Sequence, residues 1–381
     1  MAFLFSVLGK SSLPTTILWA LGGLVLPYVA IGCLLLIPAV ERRAIYMHDF
    51  KTTPRGDLNH PEKFGFARNQ VTSFHISTRD GVVLHAWHIL PLSVYEDHKD
   101  TLGNNAEPRR DASEELLCLL RDDPGARLII HAHGSSGTLA SSWRADSYKA
   151  LSSMSTPKIH VLAFDYRGFG LSEGVPSEQG LLMDAEAVFD WAIDVAGVSP
   201  ERIVIFGHSM GSGVAIGLYQ RLLLERKIQV AGLVAVSGFV DIATVAKTYT
   251  VGGVPVFKPL QIVPGLVEFL TRKLESTWKN GDRLVDIVRK SEKYHIEIVH
   301  ARDDAISISQ NGVDLFRHAQ MASNMAAYHE ADVCVEPGST KVANTDKGRI
   351  TLTLPNEGSH DAVISRPAVM AAIRRAFGSS L

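Results

Sequence analysis

The sequence has little cysteine: its 381 residues include three, Cys33, Cys118 and Cys334. Three cysteines form at most one disulfide, which excludes the small folds that depend on a disulfide framework. Low-complexity tracts are missing, and so are repeats with a period of about 20 to 50 residues. Since 46% of the residues are hydrophobic, the chain is not disordered, and it is long enough to bury a large core.

An excess of positive charge is also missing. Lys and Arg number 38 against 40 Asp and Glu, which gives a formal net charge of −2. Without a basic stripe to neutralise phosphates, we expect no nucleic-acid partner. A Walker-type phosphate loop and a cluster of metal ligands at ligand spacing are lacking, so we expect no cofactor and no metal. No feature points to an obligate protein partner.

Charge disappears from one long stretch near the amino terminus. The thirty residues between Lys10 and Glu41 carry no charged side chain, and about 20 apolar residues suffice to span a bilayer core. We therefore interpret residues 1–43 as a single transmembrane anchor that ends at the cluster Glu41, Arg42 and Arg43. The alternative is a cleaved signal peptide, whose apolar region usually runs about 7 to 15 residues, and the length of this run favours the anchor.

The charges that flank this run bear on the orientation of the anchor. Basic residues are more frequent after it than before it, which by the positive-inside rule favours a cytosolic carboxyl-terminal domain. The chain has no Asn-x-Ser/Thr sequon, which removes one sign of a lumenal domain. This bias is small, and both orientations stay open.

The chain after the anchor divides into a connector and one domain. Residues 44–70 are rich in turn-forming proline and glycine and are interpreted as a juxtamembrane connector. The domain extends over 71–381 and begins with a predicted hairpin around Asp80-Gly81. Residues 92–126 carry nine acidic and four basic side chains and are interpreted as a solvated insertion in this domain.

The rest of the domain alternates short apolar runs with longer segments compatible with helices. Continuous apolar runs are typical of strands that are buried on both faces of a parallel sheet. Alternation of such strands with helices predicts an α/β fold with a mostly parallel sheet flanked by helices. The predicted strands are residues 128–131, 159–164, 203–206, 233–237, 296–300 and 350–354.

A Gly-x-Ser-x-Gly motif follows one of these strands. The run Gly207-His208-Ser209-Met210-Gly211 lies between the strand 203–206 and a helix-like segment. In this context a serine occupies a sharp turn, and the flanking glycines let strand and helix approach closely. Ser209 is therefore the candidate nucleophile, and the alternative is a tight turn with an idle serine.

A serine nucleophile needs a base, an acid that orients the base and donors for the oxyanion. The loop after strand 296–300 carries Asp303 and Asp304, and the loop after strand 350–354 carries His360. Loops at the carboxyl ends of parallel strands meet at one edge of the sheet. The order serine, aspartate, histidine is that of α/β-hydrolases. We predict His360 as the base and prefer Asp304 to Asp303 as the acid.

Oxyanion donors are predicted from the loop after the first buried strand. Its glycine-containing run, residues 131–137, can direct the backbone N–H of Ser135 toward a substrate, and the N–H of Met210 supplies a second donor. The alternative interpretation of His131 and His133 as a metal-binding pair lacks a further ligand at suitable spacing.

These motifs resemble the α/β-hydrolase superfamily. The matching runs are residues 133–137, 164–174, 207–211 and 300–304. More narrowly, the chain resembles the membrane-anchored lysophosphatidylserine and monoacylglycerol lipases of the α/β-hydrolase domain-containing protein 12 type and their fungal relatives. The resemblance runs from about Val71 to the carboxyl terminus. It implies a triad of Ser209, Asp304 and His360, oxyanion donors at Ser135 and Met210, and a location in the endoplasmic reticulum membrane.

A long segment between two predicted strands is interpreted as an inserted cap, at about residues 240–285. Its apolar centre contains Pro255, Pro259 and Pro264 as well as Lys258, which together argue against a second membrane span. A cap over the catalytic loops can bind an acyl chain and exclude water. The alternative is an ordinary apolar cap that packs on the sheet.

Together these features predict a membrane-anchored serine hydrolase that cleaves acyl esters of lipids, a lysophospholipid or a monoacylglycerol, through an acyl-enzyme. One alternative is a non-catalytic membrane scaffold on a hydrolase fold. The other is a peptidase or thioesterase with the same triad. Because all three triad positions are filled, the sequence favours an enzyme over a scaffold.

Overall fold

The computed structural model describes residues 29–30, 32–50, 56–102, 113–251, 254–255, 257–323, 338 and 340–378. Their strands are β1 (Val71–Ser77), β2 (Val83–Ile89), β3 (Ala126–Ala132), β4 (Lys158–Phe164), β5 (Ile203–His208), β6 (Gly232–Val236), β7 (Thr250–Val251), β8 (Val254–Pro255), β9 (Tyr294–Val299), β10 (Thr340–Asn344) and β11 (Gly348–Thr353).

Nine of these strands form one sheet in the order β1-β2-β4-β3-β5-β6-β9-β11-β10. The inner strands from β4 to β11 are parallel to one another. Antiparallel pairs occur at the two ends, where β2 pairs with β1 and β4, and β10 pairs with β11. The remaining two strands, β7 and β8, form a separate short hairpin.

Helices cover both faces of the sheet. The helices are α1 (Pro38–Tyr46), α2 (Leu92–Leu102), α3 (Glu114–Arg121), α4 (Arg144–Ser152), α5 (Glu178–Asp190), α6 (Met210–Gln220), α7 (Ile242–Thr248), α8 (Leu266–Thr271), α9 (Asn280–Lys290), α10 (Gln310–Ala322) and α11 (Pro367–Phe377). One turn of π-helix extends α5 (Trp191–Val195) and another extends α6 (Arg221–Glu225). Short 3₁₀ turns lie at Pro61–Phe64, Pro200–Arg202, Lys258–Ile262 and Ala362–Ser365.

The apolar inner strands explain why the sheet needs a layer on each face. All seven residues of β3 are buried. Leu128 and Ile130 belong to one cluster of buried side chains, while Ile129 between them belongs to another. Successive side chains of a strand point to opposite faces, so the two clusters are the two halves of the core.

The α/β fold predicted from the sequence is confirmed. Each of the six predicted buried strands is present, with bounds that differ by at most two residues, and the hairpin around Asp80-Gly81 joins β1 to β2. The edge strand β10 was not predicted. Its side chains are mostly polar and partly exposed, so it lacks the continuous apolar run that marks the inner strands.

The predicted anchor, residues 1–43, lies largely outside the described residues. No helix in the described part of the chain is long and apolar enough to cross a membrane. At the predicted end of the anchor, Glu41 does not face solvent: it is 2% exposed and its carboxylate accepts hydrogen bonds from two backbone N–H groups.

The segment interpreted as a connector, residues 44–70, packs on the domain over much of its described length. Tyr46 is fully buried in the main core cluster. Phe64 and Phe66 both make edge-on contacts with the buried ring of Trp87 on β2. Apolar side chains therefore fasten this segment to the sheet on both sides of the undescribed residues 51–55.

The predicted insertion, residues 92–126, contains α2 and α3, with 103–112 outside the described residues. Although the segment is acidic, α3 buries Leu116, Leu117 and Leu120. The predicted cap contains α7, the β7–β8 hairpin and α8. The next helix, α9, starts within the predicted cap range but packs against α6 and α10 beside the sheet.

Two buried histidines make stability depend on pH. Nε2 of His88 lies 3.0 Å from Nδ1 of His160, and both rings are buried. Burial lowers the pKa of His88 from 6.5 to about 4 and lowers that of His160 as well. The unfolded chain therefore takes up protons below pH 6.5 that the folded chain excludes.

We predict that the free energy of unfolding is highest above pH 6.5 and falls as the pH drops toward 4. Each of these histidines contributes up to about 1.4 kcal/mol per pH unit. The two imidazole rings are stacked, with centroids 5.2 Å apart. The double variant H88F/H160F keeps two stacked rings and removes the titration, so the free energy of unfolding by denaturant should differ less between pH 7.5 and pH 5 than in the wild type. The partly exposed His98→Gln serves as the control. An unchanged pH difference in the double variant would contradict this explanation.

Candidate active site

The candidate nucleophile lies in a strained turn between β5 and α6. Ser209 has φ 54° and ψ −121°, a conformation that costs free energy for a residue with a side chain. A Cβ on Gly207 would lie 2.1 Å from the carbonyl oxygen of Gly211. A Cβ on Gly211 would lie 2.1 Å from the carbonyl oxygen of Ala132. Only glycine at both positions lets the strand, the turn and the helix approach this closely.

The structure brings together the three side chains predicted from distant parts of the sequence. Oγ of Ser209 lies 2.9 Å from Nε2 of His360. Nδ1 of His360 lies 2.7 Å from Oδ2 of Asp304. An ionised carboxylate can only accept a hydrogen bond, so Nδ1 of His360 carries the proton and donates to Asp304. Nε2 is then unprotonated and accepts from the hydroxyl of Ser209.

Asp304 is buried, and its loop keeps it ionised. Its Oδ1 accepts the backbone N–H groups of Ile306 and Ser307. Its Oδ2 also accepts from Nε2 of His300, at 3.1 Å. Burial alone would raise the pKa of the Asp304 carboxyl, but the hydrogen bonds from His300 and His360 outweigh it and hold that pKa well below its usual range. The imidazole of His360 is therefore oriented by a carboxylate that stays charged.

The neighbouring Asp303 has a different position. Its carboxylate accepts the backbone N–H of Ser359, at 2.8 Å, and that of Gly358, at 3.2 Å. These two residues immediately precede His360. Asp303 therefore binds the loop that carries His360, whereas Asp304 contacts the imidazole ring itself.

Two further side chains hold the backbone of His360. The carbonyl of His360 accepts from Nε2 of His208 at 2.8 Å and from Oγ of Ser237 at 3.3 Å. Burial lowers the pKa of His208 to about 3, so this ring is neutral near pH 7. In the sequence His208 is one of fifteen histidines, and its position inside the Gly-x-Ser-x-Gly motif was the only signal of this role.

The oxyanion loop (residues 134–137) lies directly beside the nucleophile. A Cβ on Gly134 would lie 3.2 Å from Cβ of Ser209. Ser135, the predicted first donor, lines the same cavity as Ser209 and Met210. The backbone of the loop is therefore in contact with Ser209, as donors to an oxyanion beside that serine require.

A buried arginine that the sequence analysis missed holds this loop. The side chain of Arg144, on α4, is 7% exposed. Its guanidinium nitrogen Nη2 donates to the carbonyl oxygens of Gly134, Ser135 and Ser136 at 2.9–3.0 Å. A planar guanidinium that binds three consecutive carbonyls fixes the direction of the peptide groups between them.

The run of residues 164–170 contacts the residues on either side of the oxyanion loop. Buried Asp165 accepts the backbone N–H of Leu139 at 2.6 Å and lies 3.4 Å from Nε2 of His133. A Cβ on Gly170, whose φ is 48°, would lie 2.0 Å from Oδ2 of Asp165. The glycine is therefore required for the carboxylate to occupy this position.

A cavity of about 400 Å³ opens above these residues. Its volume lies within the usual range for small-molecule sites, about 300 to 1,000 Å³. Ser209 and His360 are part of its wall, and α1, α7 and α8 contribute mainly apolar side chains. The apolar wall includes Leu35, Ile45, Phe239, Ile242, Val245, Val267, Leu270 and Trp278.

Potential metal ligands also occur at the site. His208, His360 and Asp361 each place one ligand atom within 4.8 Å of the others. Both ring nitrogens of His360 have partners, Asp304 and Ser209, and Nε2 of His208 binds a carbonyl. Nδ1 of His208 is buried and has no hydrogen-bond partner among the described residues. His131, considered above as a metal ligand, packs between the rings of Tyr148 and Phe206.

Comparison with protein families agrees with this geometry. A family model described as "Alpha/beta hydrolase family" matches residues 129–373. This range spans more than half of the chain and contains Ser209, Asp304 and His360. The chain belongs to the alpha/beta hydrolase family and is a hydrolase.

Among curated proteins, the chain is similar to lysophosphatidylserine lipase ABHD12. The Xenopus tropicalis protein is 31% identical over 305 residues, which are 79% of this chain and 71% of that protein. The Gallus gallus protein is 30% identical over 82% of this chain and 74% of its own length. Human protein ABHD12B is 30% identical over 73% of this chain and 69% of its own length. The resemblance predicted from the motifs is confirmed.

Solved structures show the same fold. An alpha-beta hydrolase from Vibrio vulnificus superposes with a TM-score of 0.56 at 15% identity, over 98% of this chain and 96% of that one. The esterase Pf2001 from Pyrococcus furiosus gives a TM-score of 0.50 at 17% identity, over 87% of this chain and 98% of that one.

The different positions of the two adjacent aspartates lead to a matched pair of variants. We predict that Asp304→Asn lowers kcat by about 10³- to 10⁴-fold, because an amide no longer fixes the proton on Nδ1 of His360. Asp303→Asn replaces one of the two oxygens that accept from the loop backbone and leaves the imidazole untouched, so it should cost less than about tenfold. Steady-state hydrolysis of a p-nitrophenyl ester measures both, and equal losses in the two variants would contradict the assignment.

Proposed function

We propose that this hydrolase is a membrane-anchored serine hydrolase that cleaves the acyl ester of a lysophospholipid or a monoacylglycerol through an acyl-enzyme. The observation that carries the proposal is the hydrogen-bonded series Ser209, His360 and Asp304 in the wall of an apolar cavity. The filled triad favours this activity over a non-catalytic scaffold on the same fold.

Acylation begins at the hydroxyl of Ser209. Nε2 of His360 accepts the hydroxyl proton while Oγ attacks the carbonyl carbon of the ester. The negative charge on the former carbonyl oxygen is bound by the backbone N–H groups of Ser135 and Met210. When the tetrahedral intermediate collapses, the imidazolium of His360 donates its proton to the departing alkoxide oxygen, and the ionised Asp304 stabilises the imidazolium meanwhile.

Deacylation reverses these roles with water in place of the alcohol. Nε2 of His360 accepts a proton from the water as its oxygen attacks the acyl carbon. The same donors bind the second oxyanion, and the proton returns to Oγ of Ser209 as the carboxylic acid leaves. In both steps the imidazole of His360 carries every proton that is transferred.

The cavity supports a lipid as the substrate. Its wall is mainly apolar and is completed by α7 and α8 of the cap, which is suited to bury an acyl chain and exclude water. The curated relatives are named for lysophosphatidylserine, a lipid with a single acyl chain, and this similarity supports a lysophospholipid headgroup.

A membrane location completes the proposal. Val29 and Leu36, near the end of the uncharged run, pack against Leu260, Val267 and Leu270 of the cap. Leu34 and Ile37 in the same stretch are about half exposed. An apolar run that leads directly to the cavity supports a single-pass anchor through residues 1–43. The resemblance to the membrane-anchored lipases supports the endoplasmic reticulum as its location.

A substrate panel tests this function. The full chain in detergent micelles is assayed with lysophosphatidylserine, a monoacylglycerol, an acyl-thioester and a short peptide. We expect hydrolysis of one or both lipid esters and labelling by a fluorophosphonate. Ser209→Ala should abolish labelling and lower kcat by up to about 10⁶-fold, the loss measured when another serine hydrolase lost its nucleophile.

Ser153→Ala, at an exposed position after α4, is the matched control and should retain full activity. Ester hydrolysis that survives in Ser209→Ala would contradict the nucleophile. Preference for the thioester or the peptide over every lipid ester would contradict the substrate class.

A further inference from the structure

Helix α1 joins the predicted anchor to the domain, and its first turns are fastened to the cap. The carboxylate of Glu41 accepts the backbone N–H of Glu275 at 3.0 Å and that of Ser276 at 2.8 Å. Its side chain is almost fully buried. A buried carboxylate is costly unless it is hydrogen-bonded, so this contact ties α1 to the segment between α8 and α9.

The last residue of α1 links the cap to the oxyanion loop. The hydroxyl of Tyr46 lies 2.8 Å from Oγ of Ser276, and both side chains are buried. The backbone carbonyl of Tyr46 accepts the N–H of Ser136 at 2.9 Å. One residue therefore contacts the cap with its side chain and the oxyanion loop with its backbone.

The oxyanion loop needs this support because of its conformation. Ser136 has φ 64°, which is unfavourable for a residue other than glycine. Arg144 binds the carbonyl oxygens on one side of the loop, and Tyr46 binds the N–H of Ser136 on the other. The peptide group that carries the N–H of Ser135 is bound by Arg144 at the carbonyl of Gly134. The next peptide group is bound at both ends, by Arg144 at the carbonyl of Ser135 and by Tyr46 at the N–H of Ser136.

The same helix forms part of the cavity wall. Glu41, Ala44 and Ile45 of α1 line the cavity that Ser135 and Ser209 also line, and so does Met47 directly after the helix. A displacement of α1 would therefore change both the cavity and the support of the loop.

We propose that α1 is a positioning element of the active site. Glu41 and the Tyr46 hydroxyl hold it against the cap, so that the Tyr46 carbonyl keeps Ser136 in place and directs the N–H of Ser135 at the oxyanion. Turnover then depends on this juxtamembrane helix even for a water-soluble ester that requires no membrane. The inference rests on the proposed function, since it takes Ser135 as an oxyanion donor.

The test uses the full chain in detergent micelles and p-nitrophenyl acetate. Glu41→Gln replaces one acceptor oxygen with an amide group, and Tyr46→Phe removes the hydroxyl. End-point titration with a fluorophosphonate counts the functional serines, and kcat is expressed per titrated serine. We expect a decrease of about tenfold for E41Q and about two- to fivefold for Y46F. KM should change little, because the oxyanion forms after the substrate binds.

This readout separates positioning from loss of folded protein. Misfolding lowers the number of titrated serines but leaves kcat per titrated serine unchanged. Arg43→Gln is the matched control on the same helix, since Arg43 is mostly exposed and pairs with Asp49 at the surface. It should retain the wild-type kcat.

Wild-type kcat per titrated serine in both E41Q and Y46F would overturn the inference while leaving the proposed function intact. If E41Q fails to fold, the result for Y46F decides alone. A wild-type protein that neither hydrolyses the ester nor reacts with the probe would overturn the proposed function and the inference together.

Discussion

The hydrogen bond between Nδ1 of His360 and Oδ2 of Asp304 determines which nitrogen of the imidazole faces the serine. With the proton held on Nδ1, Nε2 has a free lone pair at 2.9 Å from Oγ of Ser209. The opposite tautomer would place an N–H at the serine and leave it without a base. The fold buries Asp304 and provides hydrogen bonds to both of its carboxylate oxygens. These hydrogen bonds keep the carboxylate ionised and fix its orientation toward His360.

The other groups of the site are held in position by contacts between loops. The carboxyl ends of β3, β5, β9 and β11 meet at one edge of the parallel sheet, and each is followed by a loop that contributes to the site. His208 binds the carbonyl of His360, Asp303 binds the backbone just before it, and Arg144 binds the oxyanion loop. Hydrogen bonds to the backbone of each loop restrict its movement, which suits a site that must be ready before the substrate arrives.

Sequence reasoning predicted the parts of the molecule that follow from local pattern. Continuous apolar runs identified the inner strands, and the motif around Ser209 identified the turn because its glycines are sterically required there. Spacing favoured Asp304 over Asp303 as the acid, but both follow the same strand and carry the same group. Which of them contacts His360 depends on how two loops 56 residues apart lie against each other.

The long-range contacts of Glu41, Tyr46 and Arg144 had no local signal. Glu41 follows an uncharged run and was interpreted as a boundary residue, yet its partners lie 234 and 235 residues further along the chain. Arg144 lies on a helix with a weak apolar pattern, and its role follows from three carbonyls that the loop turns toward it. Residues that act through backbone contacts with distant loops become visible only when the fold is known.

The state of His360 tests the central claim most directly. Proton–nitrogen NMR of the full chain, labelled with ¹⁵N at histidine and assigned with His360→Gln, shows which ring nitrogen carries the proton near neutral pH. The account predicts a low-field proton on Nδ1 of His360 that disappears in Asp304→Asn. A proton found on Nε2 instead, or a Nδ1 signal that is unchanged in Asp304→Asn, would contradict it.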